Sequence, residues 1–274
     1  MAVDFIIHYD CEVKKIIPAE KILELVKLQG KAKMLYKMQE KDGVSHENIL
    51  NFPAIMQLVT DKGTQNTKKT TVGEMLEESE ILVKYEKKCM ECNVSGKKSF
   101  GCVGIINYPI TKQTEDYIYS KMKHHATQHT TGRILLDTII KLNLSGEHFK
   151  KLRINNPGVF LELPISPSVE YTSKEYGKVT INTNQIFEYL FFPILKPDFI
   201  YPILMFMEII KFQEYHDPNE KFQLLGKLDH EGVRLYLLYT PLEKSEDPNL
   251  YLFQNYIDRL LMTFINKTTV TISI

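Results

Sequence analysis

The sequence predicts an α+β protein, with a mixed or antiparallel sheet and several packed helices. Three observations carry that prediction. Apolar and β-branched runs at Val3–Tyr9 and Thr268–Ile274 read as strands. Ile22, Leu25, Leu28, Ala32 and Leu35 recur at helical spacing, and a long helix is predicted near 114–142. Phe222–Leu228 and Val233–Tyr239 resemble the two arms of a hairpin, joined through Asp229-His230-Glu231-Gly232.

The elements follow in order. After the first strand, Pro18 fits the first position of a helix over about 18–39, because its missing N–H would be unpaired there anyway. Glu47–Val59 is read as a second helix, with Pro53 as a break, and polar Asp61–Thr71 as a loop. Thr71-Val-Gly-Glu74 is a capping box opening a helix to about Glu80, followed by a strand at Ile81–Tyr85. A polar, cysteine-bearing stretch covers 86–102, and Val103–Tyr108 is a buried strand stopped by Pro109. The long helix comes next, then a short one at Ser145–Leu152 and a turn at Asn155-Asn156-Pro157-Gly158.

Val159–Leu163 reads as a strand, Pro164–Tyr176 as a loop, and Lys178–Ile181 as strand-like. Thr183 caps a helix to about Phe191, and Phe199–Phe212 forms the next. Leu250–Ile265 is the last helix. A single domain over 1–274 is favoured. The alternative is a split at the 155–158 turn into 1–154 and 158–274, because residues 1–152 carry a surplus of four positive charges and the remainder a surplus of four negative ones.

Composition narrows the function. The 274 residues are 43% hydrophobic and 25% charged, as in ordinary globular proteins. Lys plus Arg equals Asp plus Glu at 34 each, which argues against a dedicated duplex-DNA binder. The start of the chain lacks the basic, apolar pattern of a secretory signal. The most apolar region, Ile186–Ile210, is broken by Pro193, Pro197 and Pro202. Its clean pieces are too short for the roughly 20 residues of a membrane span, so it reads as a buried helix pair. A cytoplasmic location with reduced cysteines follows from this reading.

Cys89-Met-Glu-Cys92, with Cys102 nine residues further on, is the most informative stretch. Two thiolates on a CxxC turn can face one ion about 2.3 Å away. Gly96 and Gly101 allow the tight backbone that such a knuckle needs. A structural zinc site takes four ligands, and Cys11, just after the first strand, is the expected fourth if that strand pairs with the one after Cys102. His8 is the other nearby candidate.

A second constellation lies in the predicted long helix, where His125 and His129 are four apart and Arg133 and Asp137 continue the row. This suggests a metal pair, an anion or substrate site, or a helix that bends near Gly132. It lacks the zinc-protease HExxH pattern, and the chain has no GxSxG, P-loop or GxGxxG motif.

The expected function is that of a binding or regulatory protein with a small-molecule or protein partner, organised by zinc on Cys89, Cys92, Cys102 and Cys11. Two alternatives stay open. One is a cleft enzyme with Cys102 as nucleophile and His125 or His129 as base, which requires an imidazole within about 3 Å of the sulfur. The other is a nucleic-acid binder, through basic stretches interleaved with tyrosines such as Lys31–Lys37 and Tyr117–Lys123.

Overall fold

The opening apolar run forms strand β1 (Val3–His8) in the computed structural model. The structure describes residues 3–59, 65–94, 99–106, 110–155, 158, 161–214, 223–230 and 233–274. The chain forms two compact units. One holds Asp10–Gly104, the other Met1–Tyr9 with Ile105–Ile274. Residues 156–157 of the predicted turn at 155–158 lie outside the described residues.

In the smaller unit, α1 (Glu12–Ile16) starts directly after Cys11. The long α2 (Ala19–Lys41) buries Ile22, Leu25, Leu28 and Ala32, the face its periodicity predicts. Pro18 is its N-cap rather than its first helical residue. Gly43, at φ 76°, ends it, with the amide of Val44 reaching back to the Gln39 carbonyl at 3.1 Å.

The next helix is shorter than predicted. α3 (His46–Leu50) stops before Pro53, and Pro53–Val59 is strand β2. It pairs antiparallel with β3 (Gln65–Thr71), all of which falls in the predicted loop. Proline cannot donate to a helix, and it pushes the residue before it out of the helical region. The polar sequence of β3 hides a strand whose order comes from its partner's ladder.

α4 (Val72–Ser79) opens on the predicted capping box, with Glu74 N–H donating to Thr71 Oγ1 at 3.2 Å and Thr71 N–H to Glu74 Oε2 at 2.9 Å. The expected strand at Ile81–Tyr85 is instead a 3-10 helix over Glu80–Tyr85, which runs into α5 (Glu86–Met90). The strand β4 (Val103–Ile106) leads out of the unit.

The larger unit continues with α6 (Lys112–Thr127), α7 (Arg133–Lys141) and α8 (Glu147–Asn155). Strand β5 (Ser168–Ser173) forms a hairpin with β6 (Gly177–Asn182) and corrects the predicted loop. Next come α9 (Thr183–Leu190), capped by Asn182 rather than Thr183, then β7 (Ile194–Leu195) and α10 (Pro197–Phe206). The expected helix to Phe212 ends at Phe206, and β8 (Ile210–Gln213) follows. Strands β9 (Gln223–His230) and β10 (Val233–Tyr239) form the predicted hairpin, and its connection at 231–232 lies outside the described residues. The chain closes with α11 (Pro248–Ile265) and β11 (Thr269–Ser273).

The main sheet runs β4-β1-β11-β7, so both predicted terminal strands sit side by side, with Ile6 opposite Thr271. Of the predicted strand at Val159–Leu163, residues 159–160 lie outside the described residues, and Leu161 makes one parallel bridge to Ile110. Aromatic packing anchors the core, with Phe149 5.8 Å from Phe187 and 5.9 Å from Phe191, and Tyr256 5.6 Å from both Phe191 and Phe5. No helix among the described residues is long and apolar enough to cross a membrane.

The predicted helix near 114–142 is two helices, separated by residues 128–132. His125 is the reason. Its ring is fully buried, with Nε2 2.7 Å from the Phe206 carbonyl and Nδ1 2.5 Å from Thr130 Oγ1. An uninterrupted helix could not fold Thr130 back to the ring of a residue five positions earlier. Gly132 makes room, because a Cβ there would lie 2.2 Å from His125 Cε1.

Buried phenols make this unit sensitive to alkali. Burial lifts Tyr117 to about 12, and Tyr189 and Tyr256 also lie above their ordinary range. Unfolded tyrosines ionise near pH 10 while these stay protonated, so the unfolded chain then holds fewer protons. The stability these phenols contribute is expected to be fully present below about pH 10 and to be lost as pH rises through 12. Urea midpoints across that window check this. A flat profile would mean that the phenols are solvated.

Candidate functional site

All four cysteines lie in the smaller unit, and none forms a disulfide. Cys89 is the penultimate residue of the short α5 and is 4% exposed; the Cys92 amide folds back to its carbonyl at 3.2 Å. Cys102, also 4% exposed, immediately precedes β4. Phe100 holds a left-handed backbone at φ 56°, and its N–H donates to the Cys89 sulfur. Gly96 lies outside the described residues.

Two surface contacts tie the cysteine-bearing segments together. Lys88, next to Cys89, pairs with Glu12, next to Cys11, at 3.2 Å. Ser99 donates to Glu86 at 3.0 Å. Both are too exposed to add much stability, but they locate the segments.

Electrostatics carries the same information. Burial pushes the Cys89 thiol up to about 11, against the Phe100 N–H, and the charges of Cys102, Cys11 and Cys92 push it further. Burial also raises Cys102, with Lys14 opposing and Cys11 and Cys92 adding. Cys11 and Cys92 thus act on both buried thiols. Even so, no three of the sulfurs lie within 4.8 Å of one another. His8, the alternative ligand, belongs to the other unit and bonds Thr271 Oγ1 at 2.6 Å.

The histidine row divides. α6 stops at Thr127, so His125 and His129 no longer share a helical face. Among the described residues, the one group of three metal-capable side chains within 4.8 Å is His124, His125 and Glu208. Its chemistry is that of an ion-pair cap on α10. Glu208 sits at φ 59° just past the helix, with one carboxylate oxygen 3.0 Å from His124 Nε2 and the other bonded to Lys121. Burial works to raise this carboxyl, but the Lys121 bond and charge outweigh it and hold it low. Burial lowers the His125 pKa, and both of its nitrogens are engaged. A cation here would meet the Lys121 ammonium and would have to displace a hydrogen bond.

His129 instead accepts from Arg133 at 2.8 Å through Nδ1. Arg133 can only donate, so the His129 proton resides on Nε2. These two residues, with Ile134, Asp137, Ser173 and Glu175, line a cleft of about 510 Å³ in the larger unit. Asp137 and Arg133, one turn apart on α7, do not pair with each other. Asp137 Oδ1 accepts from Tyr171 and, at 2.8 Å, from Ser173. Arg133 donates to the Thr172 carbonyl and lies 5.0 Å over the Tyr171 ring. Tyr171 and Ser173 were missed because they fall in a stretch read as loop.

A further buried pair had no sequence signal. Arg153 and Glu115, 2% and 1% exposed and 38 residues apart, meet at 2.8 Å and 3.0 Å. Every guanidinium N–H is used, the rest by Asn184 Oδ1 and the Leu163 carbonyl, and Thr183 donates to Glu115. The saturated network is structural.

Comparison with family models, with curated proteins and with solved structures gives no match. Function therefore rests on the geometry above.

Proposed function

We propose that residues 10–104 form a zinc-organised unit, with Cys11, Cys89, Cys92 and Cys102 as ligands, in a binding or regulatory protein. The observation that carries this reading is that contacts hold the cysteine-bearing segments together: Lys88, next to Cys89, pairs with Glu12, next to Cys11, at 3.2 Å, and Phe100, two residues before Cys102, bonds the Cys89 sulfur. Phe100 supports it by turning a backbone N–H onto that sulfur, the kind of outer contact that orients a metal ligand.

Soft thiolates suit zinc, and a closed set of four suits a structural ion rather than a catalytic one. Zinc would draw the sulfurs closer than they now lie, to about 2.3 Å from a shared centre. Thiols raised by burial are poor nucleophiles at neutral pH, whereas a metal displaces their protons outright. The reading requires a reducing compartment such as the cytoplasm.

Metal analysis of protein purified without added zinc tests it. One zinc per chain is expected, lost in Cys89→Ser and in Cys102→Ser. Adding zinc to stripped protein should release protons, more of them at lower pH. Metal-free protein that neither takes up zinc nor gains stability from it would end the proposal.

A further inference from the structure

The cleft beside α7 carries Arg133 and Asp137 on one wall, neither in an ion pair among the described residues, and Lys174 and Glu175 also line it. Arg133 and Asp137 stand one helical turn apart, where opposite charges on a helix ordinarily attract. Here Tyr171 keeps them separate. Its hydroxyl takes Asp137 and its ring face takes Arg133.

Tyr171 and Ser173 are 3% and 4% exposed, so the supporting groups are buried while the charges they hold line the cleft. Both hydroxyls converge on Asp137 Oδ1, which leaves Oδ2 without a protein partner among the described residues. Arg133 uses one N–H of each terminal nitrogen, on His129 and on Thr172, and keeps further donors. His129 adds its Nε2–H. Asp137 is fixed by two buried hydroxyls, and Arg133 by the buried Tyr171 ring together with His129 and the Thr172 carbonyl, which makes a preorganised binding arrangement.

We infer that this cleft binds a small zwitterion of the free amino-acid class, its carboxylate on Arg133 and its ammonium on Asp137 Oδ2. Guanidinium and carboxylate match in planar geometry, and an ammonium supplies the donors that the bare oxygen lacks. The cleft volume of about 510 Å³ accommodates a ligand of this size. The site is independent of the cysteines, which belong to the other unit.

Calorimetric titration of the full-length protein with each common free amino acid, up to ~10 mM, tests the inference. At least one is expected to saturate. Its decarboxylated amine and its N-acetyl derivative should each bind about tenfold more weakly or worse, since each loses a charged hydrogen bond. Arg133→Gln should erase the preference over the amine, and Asp137→Asn the preference over the N-acetyl form. Tyr171→Phe, which keeps the ring, should weaken binding while circular dichroism stays unchanged. Failure of every amino acid to saturate folded wild-type protein would overturn the inference. So would an N-acetyl derivative that binds as tightly as its parent, a result that does not depend on any variant folding.

Discussion

Arg153→Ala is expected to destabilise the larger unit by about 3–5 kcal/mol, enough to leave little folded protein if the total lies in the usual range of about 5–15 kcal/mol. The substitution strands the Glu115 carboxylate at 1% exposure with only the Thr183 hydroxyl still donating to it. It also removes the donors to Asn184 and to the Leu163 carbonyl. Replacing both partners, by Arg153→Met with Glu115→Leu, should recover part of the loss. The charge penalty disappears, but the orphaned Asn184 and Leu163 oxygens still cost about 1–3 kcal/mol each. Urea unfolding at neutral pH measures all three variants. A loss of under about 1 kcal/mol for Arg153→Ala would mean that the pair is solvated.

Gly132→Ala is expected to cost about 2–3 kcal/mol, at the upper end for overpacking. The added carbon would meet the imidazole at 2.2–2.5 Å. The ring cannot swing aside, because it is bonded at both nitrogens and packed 5.1 Å from the rings of Phe206 and His124. His125→Ala also destabilises, by leaving a cavity and an unpaired Phe206 carbonyl. In that background, however, the second substitution should cost almost nothing. A double-mutant cycle then shows a coupling above about 1 kcal/mol. Additive losses would show that the glycine is needed for its backbone and not for space.

The contrast between predicted and observed elements follows from where each one's order originates. α2 was legible because Ile22, Leu25, Leu28 and Ala32 repeat within the segment itself. The capping box at Thr71 and Glu74 was legible because both groups lie within one turn. By contrast, β3 and β5 take their hydrogen bonds from other segments, and polar sequences such as Gln65–Thr71 give no sign of that. The site residues divide in the same way. His129, Arg133 and Asp137 were flagged as one helical row, yet the break at 128–132 and the intervening Tyr171 rearranged their partners.

Side-chain chemistry and short-range spacing were readable along the chain. They specified the α+β class, the terminal strands, the late hairpin and the thiol-bearing residues that a metal would need. Which groups meet was settled by packing over long separations. Arg153 joins Glu115 across 38 residues, and His125 reaches the Phe206 carbonyl across 81. The physical reason is that desolvation acts on position in the folded chain. A buried charge or imidazole must find partners wherever the fold supplies them, and nearby sequence carries no record of that need.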